Sequence, residues 1–194
     1  MKKRKVISIF LLAMSVAAVT SFGAAAQETE IQTETVEIPA DLSEYDVDGV
    51  GVFYLPEGFE VESGESEEGL PSTYAVLTSE EIEISASRFG PDAYEAAGIE
   101  MPADLEEYSQ REGTRKSLPE GEDFERDEFG NLGVVITYEE EPEADAGNGR
   151  TMTMYQVLKK GTESYGAVSL ICPEELYEEM EKDFGLWLSL MELE

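Results

Sequence analysis

Short apolar runs bounded by turn residues predict a series of β-strands along this chain. The first run, Gly49 to Leu55, has apolar residues at consecutive positions, which is typical of a strand buried on both faces. Two more runs lie within Thr73 to Phe89, on either side of a polar centre. In the later of these two runs, apolar residues alternate with polar ones, so we expect one buried and one hydrated face. Its buried side comprises Ile82, Ile84 and Ala86.

Three further strands are predicted close together in the second half of the chain. They are Asn131 to Glu140, Arg150 to Lys160 and Ser164 to Cys172. The segments EEPEADAGNG and KKGTES, which separate them, are rich in turn residues. We therefore expect an antiparallel meander, and a shorter strand near Phe124 before it. One face of the middle strand carries Met152, Met154, Gln156 and Leu158.

Helical patterns occupy two regions. A short helix with Asp92 as its cap is predicted to run through Ala97, and a second is predicted over Met101 to Gly113. A longer helix is predicted from Pro173 onward, because large apolar residues recur there at steps of 3, 4, 3 and 4. We expect this apolar stripe to pack on the sheet. Its members are Tyr177, Met180, Phe184, Trp187 and Met191.

The amino-terminal region has the layout of a secretory signal peptide. A basic start, MKKRK, precedes the uncharged run Val6 to Val19 and then the small-residue segment GAAAQ. The apolar run has 14 residues, fewer than the ~20 that a membrane-spanning helix needs, although an anchor is the rival interpretation. We predict a signal peptide over 1–26 with cleavage after Ala26, an acidic flexible linker over 27–48 and a folded domain over 49–194. The mature protein is then secreted or held at the cell envelope.

The charge of the chain limits its partners. The formal net charge is −31, and removal of residues 1–26, which carry four positive charges, changes it to −35. Such a surface repels phosphate backbones and anionic headgroups, so we expect neither a nucleic acid nor an anionic membrane surface as a partner. With a single cysteine the chain has no internal disulfide. We expect a monomer stabilised by packing, with an intermolecular disulfide as the alternative.

The chain contains no histidine. Ser-His-Asp and Cys-His nucleophile systems and histidine-ligated zinc or iron sites are therefore impossible within one subunit. Tyr155 and Lys159 match the YxxxK spacing of short-chain dehydrogenases, but they fall in a predicted strand and no dinucleotide-binding turn occurs. A glycosidase needs only two carboxylates, and with 44 Asp and Glu residues any pair can be nominated. We expect no enzyme activity and no cofactor, and assign no catalytic residue.

Calcium is the best inorganic candidate, because it prefers several oxygen ligands. The residues that match positions 1, 3 and 5 of an EF-hand-like loop are Glu44, Asp46 and Asp48. Position 12, which should be a bidentate glutamate, is Leu55. A solvated acidic segment explains the pattern more simply, so these three residues remain candidate ligands without an assigned metal.

The only cysteine, Cys172, lies where the last predicted strand meets the last predicted helix. Pro173 is predicted at the first helical position, which places Cys172 at or near the N-cap, where a thiol pKa is lowered. The neighbouring glutamates 174, 175, 178 and 179 oppose a second negative charge, and there is no histidine to act as a base. We therefore predict a buried, poorly reactive thiol.

Several stretches together carry a family resemblance. They are VFYLPEGFEV near the start, DLEEYSQ before the central loop, GVVITYE, and the closing passage MYQVLKKGTESYGAVSLICPEELYEEMEKDFGLWLSL. The order and pattern of these pieces over residues 49–191 resemble the PsbP-like family and its bacterial relatives of unknown function. The resemblance implies an α+β fold in which an antiparallel sheet is flanked by helices on both faces, an α/β/α sandwich, with the C-terminal helix packed on the sheet.

The resemblance also carries expectations about function. Characterised members of the PsbP-like family include an extrinsic subunit of the oxygen-evolving photosystem and a nuclear protein that binds a small GTPase, and neither is an ordinary enzyme. Fold alone does not transfer a partner. The absence of histidine departs from the photosystem subunit, in which His and carboxylates are implicated in metal handling. We expect an exported, non-enzymatic accessory or binding domain that engages a protein or cell-envelope component; the alternatives are a carboxylate-only hydrolase acting on glycans and a calcium-responsive surface protein.

Overall fold

The computed structural model describes residues 6–8, 35–66, 71–116, 118–140 and 150–194, with side chains from residue 38 onward. The chain divides into two compact units, Met1–Asp41 and Leu42–Glu194. In the first unit, strand β1 (Val6–Ser8) pairs antiparallel with strand β2 (Thr35–Glu37). The remainder of the predicted signal peptide, including Ala26, lies outside the described residues.

The second unit is a mixed α+β structure with two antiparallel sheets. Its strands are β3 (Ser43–Val47), β4 (Gly51–Leu55), β5 (Glu60–Ser66), β6 (Ser72–Thr78), β7 (Glu83–Phe89), β8 (Glu125–Arg126), β9 (Leu132–Glu139), β10 (Thr151–Lys160), β11 (Tyr165–Pro173) and β12 (Glu192–Leu193). Its helices are α1 (Pro91–Ala97), α2 (Leu105–Gln110), α3 (Glu112–Arg115) and α4 (Glu174–Leu190).

The larger sheet has seven strands in the order β5-β6-β7-β11-β10-β9-β8. The predicted meander of β9, β10 and β11 is confirmed: Tyr155 of β10 lies opposite Val135 on one side and Leu170 on the other. The two runs predicted within Thr73 to Phe89 are confirmed as β6 and β7, and β8 follows Phe124 as expected. The smaller sheet has the order β12-β4-β3.

The predicted flexible linker over 27–48 is wrong where β3 lies. The folded unit begins at Leu42, seven residues before the predicted boundary at Gly49. Val47 is buried, and the Tyr45 hydroxyl donates a hydrogen bond to the carbonyl oxygen of Pro56 over 2.9 Å. Acidic residues occupy only the outward positions of β3, and its inward side chains hold the strand in place. The charged composition of this segment therefore did not indicate a strand.

One face of the larger sheet packs against α4 and the smaller sheet, and this face forms the first hydrophobic cluster. Val157 of β10 and Leu170 of β11 are fully buried there. The predicted apolar stripe of α4 is confirmed, because Tyr177, Phe184 and Trp187 all belong to this cluster. Burial of these rings, at ~25 cal/mol per Å² of apolar surface, is the main force that holds α4 on the sheet.

The opposite face of the larger sheet forms a second hydrophobic cluster. Leu158 follows Val157 in β10 and therefore points to the other side of the sheet. It packs in the second cluster with Tyr165 of β11, Tyr94 of α1 and Tyr108 of α2. The strand β10 is thus apolar on both faces.

The helix boundaries differ from those predicted. Gly90 is the N-cap of α1, so Asp92 lies in the first turn and does not cap the helix. The predicted helix over Met101 to Gly113 is two short helices, because the extended backbone of Arg111 separates α2 from α3. The first of them, α2, begins only after Asp104, whose carboxylate accepts a hydrogen bond from the Glu107 amide. Pro173 is the N-cap of α4 and not its first residue. Among the described residues, no helix is long and apolar enough to cross a membrane.

Candidate functional site

A cleft lies between the second face of the larger sheet and the segment that contains α1, α2 and α3. Its volume is about 700 Å³, which is within the range of sites for small organic ligands. We call it the apolar cleft, because hydrophobic side chains form most of its wall. These are Phe89, Tyr94, Ile99, Tyr108, Leu158 and Ala167.

The sheet supplies the floor of the apolar cleft. Leu158 and Ala167 lie opposite each other in the register of β10 and β11, and the short side chain of Ala167 leaves space above the sheet. The opposite wall is tied to the same strands. The Tyr165 hydroxyl donates a hydrogen bond to the carbonyl oxygen of Pro102 over 2.8 Å, and Lys160 Nζ donates to that of Ala103 over 2.9 Å. These bonds hold the segment before α2 at a fixed height over the sheet.

Two polar groups in the wall of the apolar cleft have donors available. Arg111 donates one hydrogen bond to Glu107 Oε1 over 2.6 Å, which occupies only part of its guanidinium group. Tyr94 is 6% exposed, and its hydroxyl, for which no hydrogen bond to a described residue is found, is reached by solvent. Burial raises the pKa of Tyr94 to about 12, while the charge of Arg111 acts to lower it. The Tyr94 phenol therefore stays protonated throughout the neutral range and can donate a hydrogen bond.

A second concave surface lies at the other side of the sheet, beside β8, β9 and α4. Its volume is about 620 Å³. Its rim is rich in carboxylates, and we call it the acidic groove. The carboxylates that line it are Glu122, Asp123, Glu125, Asp127, Glu128 and Glu181.

Asp127 organises the inner end of the acidic groove. Its carboxylate accepts hydrogen bonds from the backbone amides of Phe129 (2.9 Å) and Asn131 (2.8 Å), from the Asn131 side-chain amide (2.9 Å) and from the Tyr155 hydroxyl. Asn131 Nδ2 also donates to the carbonyl oxygen of Gly185 over 3.0 Å, which links the turn before β9 to α4. With four donors on one carboxylate, Asp127 has a structural role that the sequence analysis did not identify.

Tyr155 and Lys159 lie in strand β10, as the sequence analysis expected, whereas the YxxxK pair of a dehydrogenase lies on a helix. Both lie on the face of β10 that meets α4. Burial and the hydrogen bond to Asp127 raise the pKa of Tyr155. A dehydrogenase requires the reverse, because its tyrosine must lose a proton readily. The pair therefore does not support that chemistry.

Replacing Lys159 with methionine is expected to leave stability at neutral pH unchanged or increased. Burial lowers the pKa of Lys159 to about 8, against the opposing attraction of Asp127, and its bond to the carbonyl oxygen of Ser189 is long at 3.5 Å. Between pH 8 and 10.5 the folded protein therefore binds fewer protons than the unfolded chain, so the wild type gains stability as the pH rises through that window. Urea unfolding across this range should show the gain in the wild type and not in the variant; parallel pH profiles would contradict it.

Cys172 is fully buried and lies one residue before the N-cap of α4. Burial raises the pKa of its thiol to about 11; Arg150 lowers it and Glu81 raises it by smaller amounts. The sequence analysis assigned the opposing charge to the four glutamates at 174, 175, 178 and 179, but the carboxylate that raises the pKa of the thiol is that of Glu81.

We expect an aromatic disulfide reagent to modify Cys172 in the native protein at least ~100-fold more slowly than in denaturant at the same pH, because a protonated and enclosed thiol is a poor nucleophile. The absorbance of the released thiolate gives both rates. Rapid labelling of the folded protein, confirmed as folded by circular dichroism, would show that the thiol is accessible.

The calcium candidates do not form the loop that their spacing suggested. Glu44 and Asp46 are exposed residues of β3, opposite Tyr54 and Val52 of β4, and Asp48 lies in the turn that follows. The chain enters β4 where the second half of an EF-hand-like loop would be. Within the described ranges, no group of three or more Asp, Glu, Cys or His residues is placed to hold a metal ion.

Comparison with known proteins identifies no family. No family model matches the chain, and no curated protein matches it. A solved structure that resembles it is that of PA94 from Pseudomonas aeruginosa, a protein of unknown function and candidate regulator. The two share 13% sequence identity over 78% of this chain and 96% of PA94, with a TM-score of 0.33. A likeness at this level carries no functional conclusion.

Proposed function

We propose that this protein is an exported, non-enzymatic binding domain that engages a protein or a component of the cell envelope. The observation that carries the proposal is the apolar cleft: an open, preformed concavity with a mostly hydrophobic wall and a few polar donors. Such a wall is suited to holding a ligand. The domain is proposed to act as a monomer and without a cofactor.

The proposed architecture is the α/β/α sandwich of the PsbP-like family. Two contacts support it: Tyr177 of α4 packs in the first hydrophobic cluster, and Tyr94 and Tyr108 of the short helices pack in the second. In this arrangement the longer helix stabilises one face of the sheet. The short helices cover only part of the other face, and the space that they leave is the apolar cleft.

The direct test is affinity capture from the solubilised envelope of the producing cell. We expect the wild-type protein to retain a component that the variant Ile99→Glu does not, because Ile99 lines the apolar cleft and is 47% exposed. Val61→Glu is the matched control, since Val61 is 45% exposed and lies on the edge strand β5, outside the cleft. The same new charge at that position should leave retention unchanged.

Two results would contradict the proposal. One is equal retention by the wild type and by both variants, since the captured component would then bind elsewhere. The other is turnover of an envelope component by the purified protein, which would identify an enzyme.

The acidic groove favours a second candidate function, hydrolysis of glycans by carboxylates alone. Glu125 and Glu181 both line the groove, and this chemistry requires an acid and a base or nucleophile on opposite sides of a sugar. A glycan panel tested with Glu125→Gln and Glu181→Gln separates the two functions. Hydrolysis that both amide variants abolish would favour this candidate; its absence would favour the binding domain.

For calcium we propose that no ion is bound. Thermal melts with and without millimolar calcium should share one midpoint, because a ligand that binds only the native state must raise it. A higher midpoint that is lost in Asp46→Asn would instead identify a calcium-responsive protein.

A further inference from the structure

We propose that the apolar cleft binds a single anionic amphiphile, a carboxylic acid with an extended apolar body, and that Arg111 and Tyr94 bind its carboxylate. The inference rests on the proposed function, because it names the chemical class of ligand that the binding domain takes. No bond is made or broken in the ligand.

The apolar body of the ligand is selected by the sheet and by the loop after α1. Leu158 and Ala167 form the floor, and Phe89 and Ile99 also line the cleft, Ile99 with 47% of its surface exposed. A ligand in the cleft would remove these apolar surfaces from water, which is the main source of affinity for an uncharged chain or ring. A purely polar ligand would gain nothing from this floor.

The carboxylate of the ligand is selected by Arg111 and Tyr94. Arginine has five N–H donors in a planar fork, and Glu107 Oε1 takes only part of them. Tyr94 lines the cleft with 6% of its surface exposed, and its hydroxyl, for which no hydrogen bond to a described residue is found, is reached by solvent and not enclosed. Arg111 lines the same cleft, and its guanidinium charge acts to lower the pKa of Tyr94. A carboxylate with one oxygen toward each group would satisfy both donors.

An anionic head group is favoured over a cationic one, because Arg111 and Tyr94 offer N–H and O–H donors that a carboxylate accepts, while the carboxylates nearby are already paired. Glu107 is paired with Arg111, and Glu112, which also lines the cleft, is paired with Lys116 over 3.0 Å. The ligand is a free molecule and not a lipid within an anionic bilayer, since a chain with a net charge of −31 is repelled by such a surface.

Fluorescence titration with anilinonaphthalene sulfonate, an apolar ring system with one anionic group, tests the proposal in the full chain. We expect saturable binding that dodecanoate displaces at least ~10-fold more effectively than dodecanol or dodecylammonium. Tyr94→Phe and Arg111→Gln should each weaken dodecanoate binding by ~10-fold, as expected for a hydrogen bond to a charged group. Arg150→Gln is the matched control, because Arg150 is exposed, pairs with Glu81 and lies outside the cleft.

Each other outcome overturns the inference. Equal displacement by all three dodecyl compounds would show that the charge of the head group does not contribute to binding. Unchanged affinity in both Tyr94→Phe and Arg111→Gln would show that these two donors do not bind the carboxylate. Binding to vesicles of anionic phospholipid without displacement by dodecanoate would identify a bilayer surface. Circular dichroism confirms folding, and Tyr94→Phe, which only removes a hydroxyl, decides the outcome if Arg111→Gln does not fold. If no amphiphile binds while Ile99→Glu still abolishes capture from the envelope, the inference fails and the proposed function stands.

Discussion

Replacing Phe184 with alanine is expected to lower the free energy of unfolding by about 3–5 kcal/mol. The Phe184 side chain is fully buried, and its ring lies between those of Tyr177 and Trp187, at centroid distances of 6.0 and 5.3 Å. Removal of the ring deletes the centre of the aromatic row by which α4 is held on the sheet. The surrounding β-strands can relax only in part, so a cavity remains and adds to the lost burial.

Phe129→Ala is the matched control for this prediction. Phe129 loses the same ring but is 36% exposed, at the rim of the acidic groove, where its ring covers Gly185. Urea unfolding followed by circular dichroism measures both losses. We expect a clearly smaller loss for Phe129→Ala, and equal losses would show that α4 is not held by the first hydrophobic cluster.

Replacing Gly51 with alanine is expected to destabilise the protein by roughly 3 kcal/mol, from two causes that act together. Gly51 has a φ of +150°, which L side chains rarely adopt. A Cβ atom at this position would lie 2.1 Å from the carbonyl oxygen of Glu192. Because that oxygen belongs to the backbone of β12, the clash can be relieved only by separation of β4 from β12.

Gly58→Ala separates the backbone strain at positive φ from the steric clash of the added Cβ atom. Gly58 also has a positive φ, of +112°, but no atom lies within 4 Å of the added Cβ. It should therefore show the backbone strain alone, about 1–2 kcal/mol. Thermal unfolding gives the difference, and hydrogen exchange of the Glu194 amide, which bonds to the Val50 carbonyl oxygen over 3.1 Å, reports directly on the pairing of β12. A loss in Gly51→Ala no greater than that in Gly58→Ala would contradict the close approach.

The sequence predicts those elements whose buried faces impose a period on the side chains. The strands β9, β10 and β11 lie inside the sheet, so their apolar residues are required for packing and appear as runs in the sequence. The helix α4 is predicted for the same reason, since Phe184 and Trp187 must both face the sheet. In these elements the sequence pattern and the packing have the same physical cause, which is the burial of apolar side chains.

The strand β5 was not predicted, because the backbone and not its side chains holds it in place, and β3 was missed because acidic residues alternate with its inward side chains. The strand β5 is at the edge of the larger sheet, and its one aliphatic residue, Val61, is 45% exposed. Its pairing with β6 is formed by main-chain hydrogen bonds, which leave no trace in side-chain polarity. At Gly64 a Cβ would lie 2.9 Å from the Tyr74 hydroxyl oxygen, so the glycine provides space for the ring of its neighbour.

The apolar cleft was not predicted either, although part of a signal was present. Apolar residues on both faces of β10, such as Val157 and Leu158, indicate that this strand is buried on both sides, and they belong to the two hydrophobic clusters. The area of the sheet that α1 and α2 can cover depends on their lengths. Helices of seven and six residues leave part of the cleft floor open. Tyr94 and Arg111 become neighbours only through this packing, since no motif links them along the chain.

Hydrogen–deuterium exchange of the wild-type protein, with and without the component captured from the envelope, tests the central claim most directly. The claim is that the apolar cleft is the binding surface of this domain. We predict slower exchange at residues 94–114, in the wall of the cleft, and at 156–167, in its floor, with no change at 121–129 beside the acidic groove. Protection confined to 121–129, or a uniform absence of protection in the presence of bound component, would contradict the account.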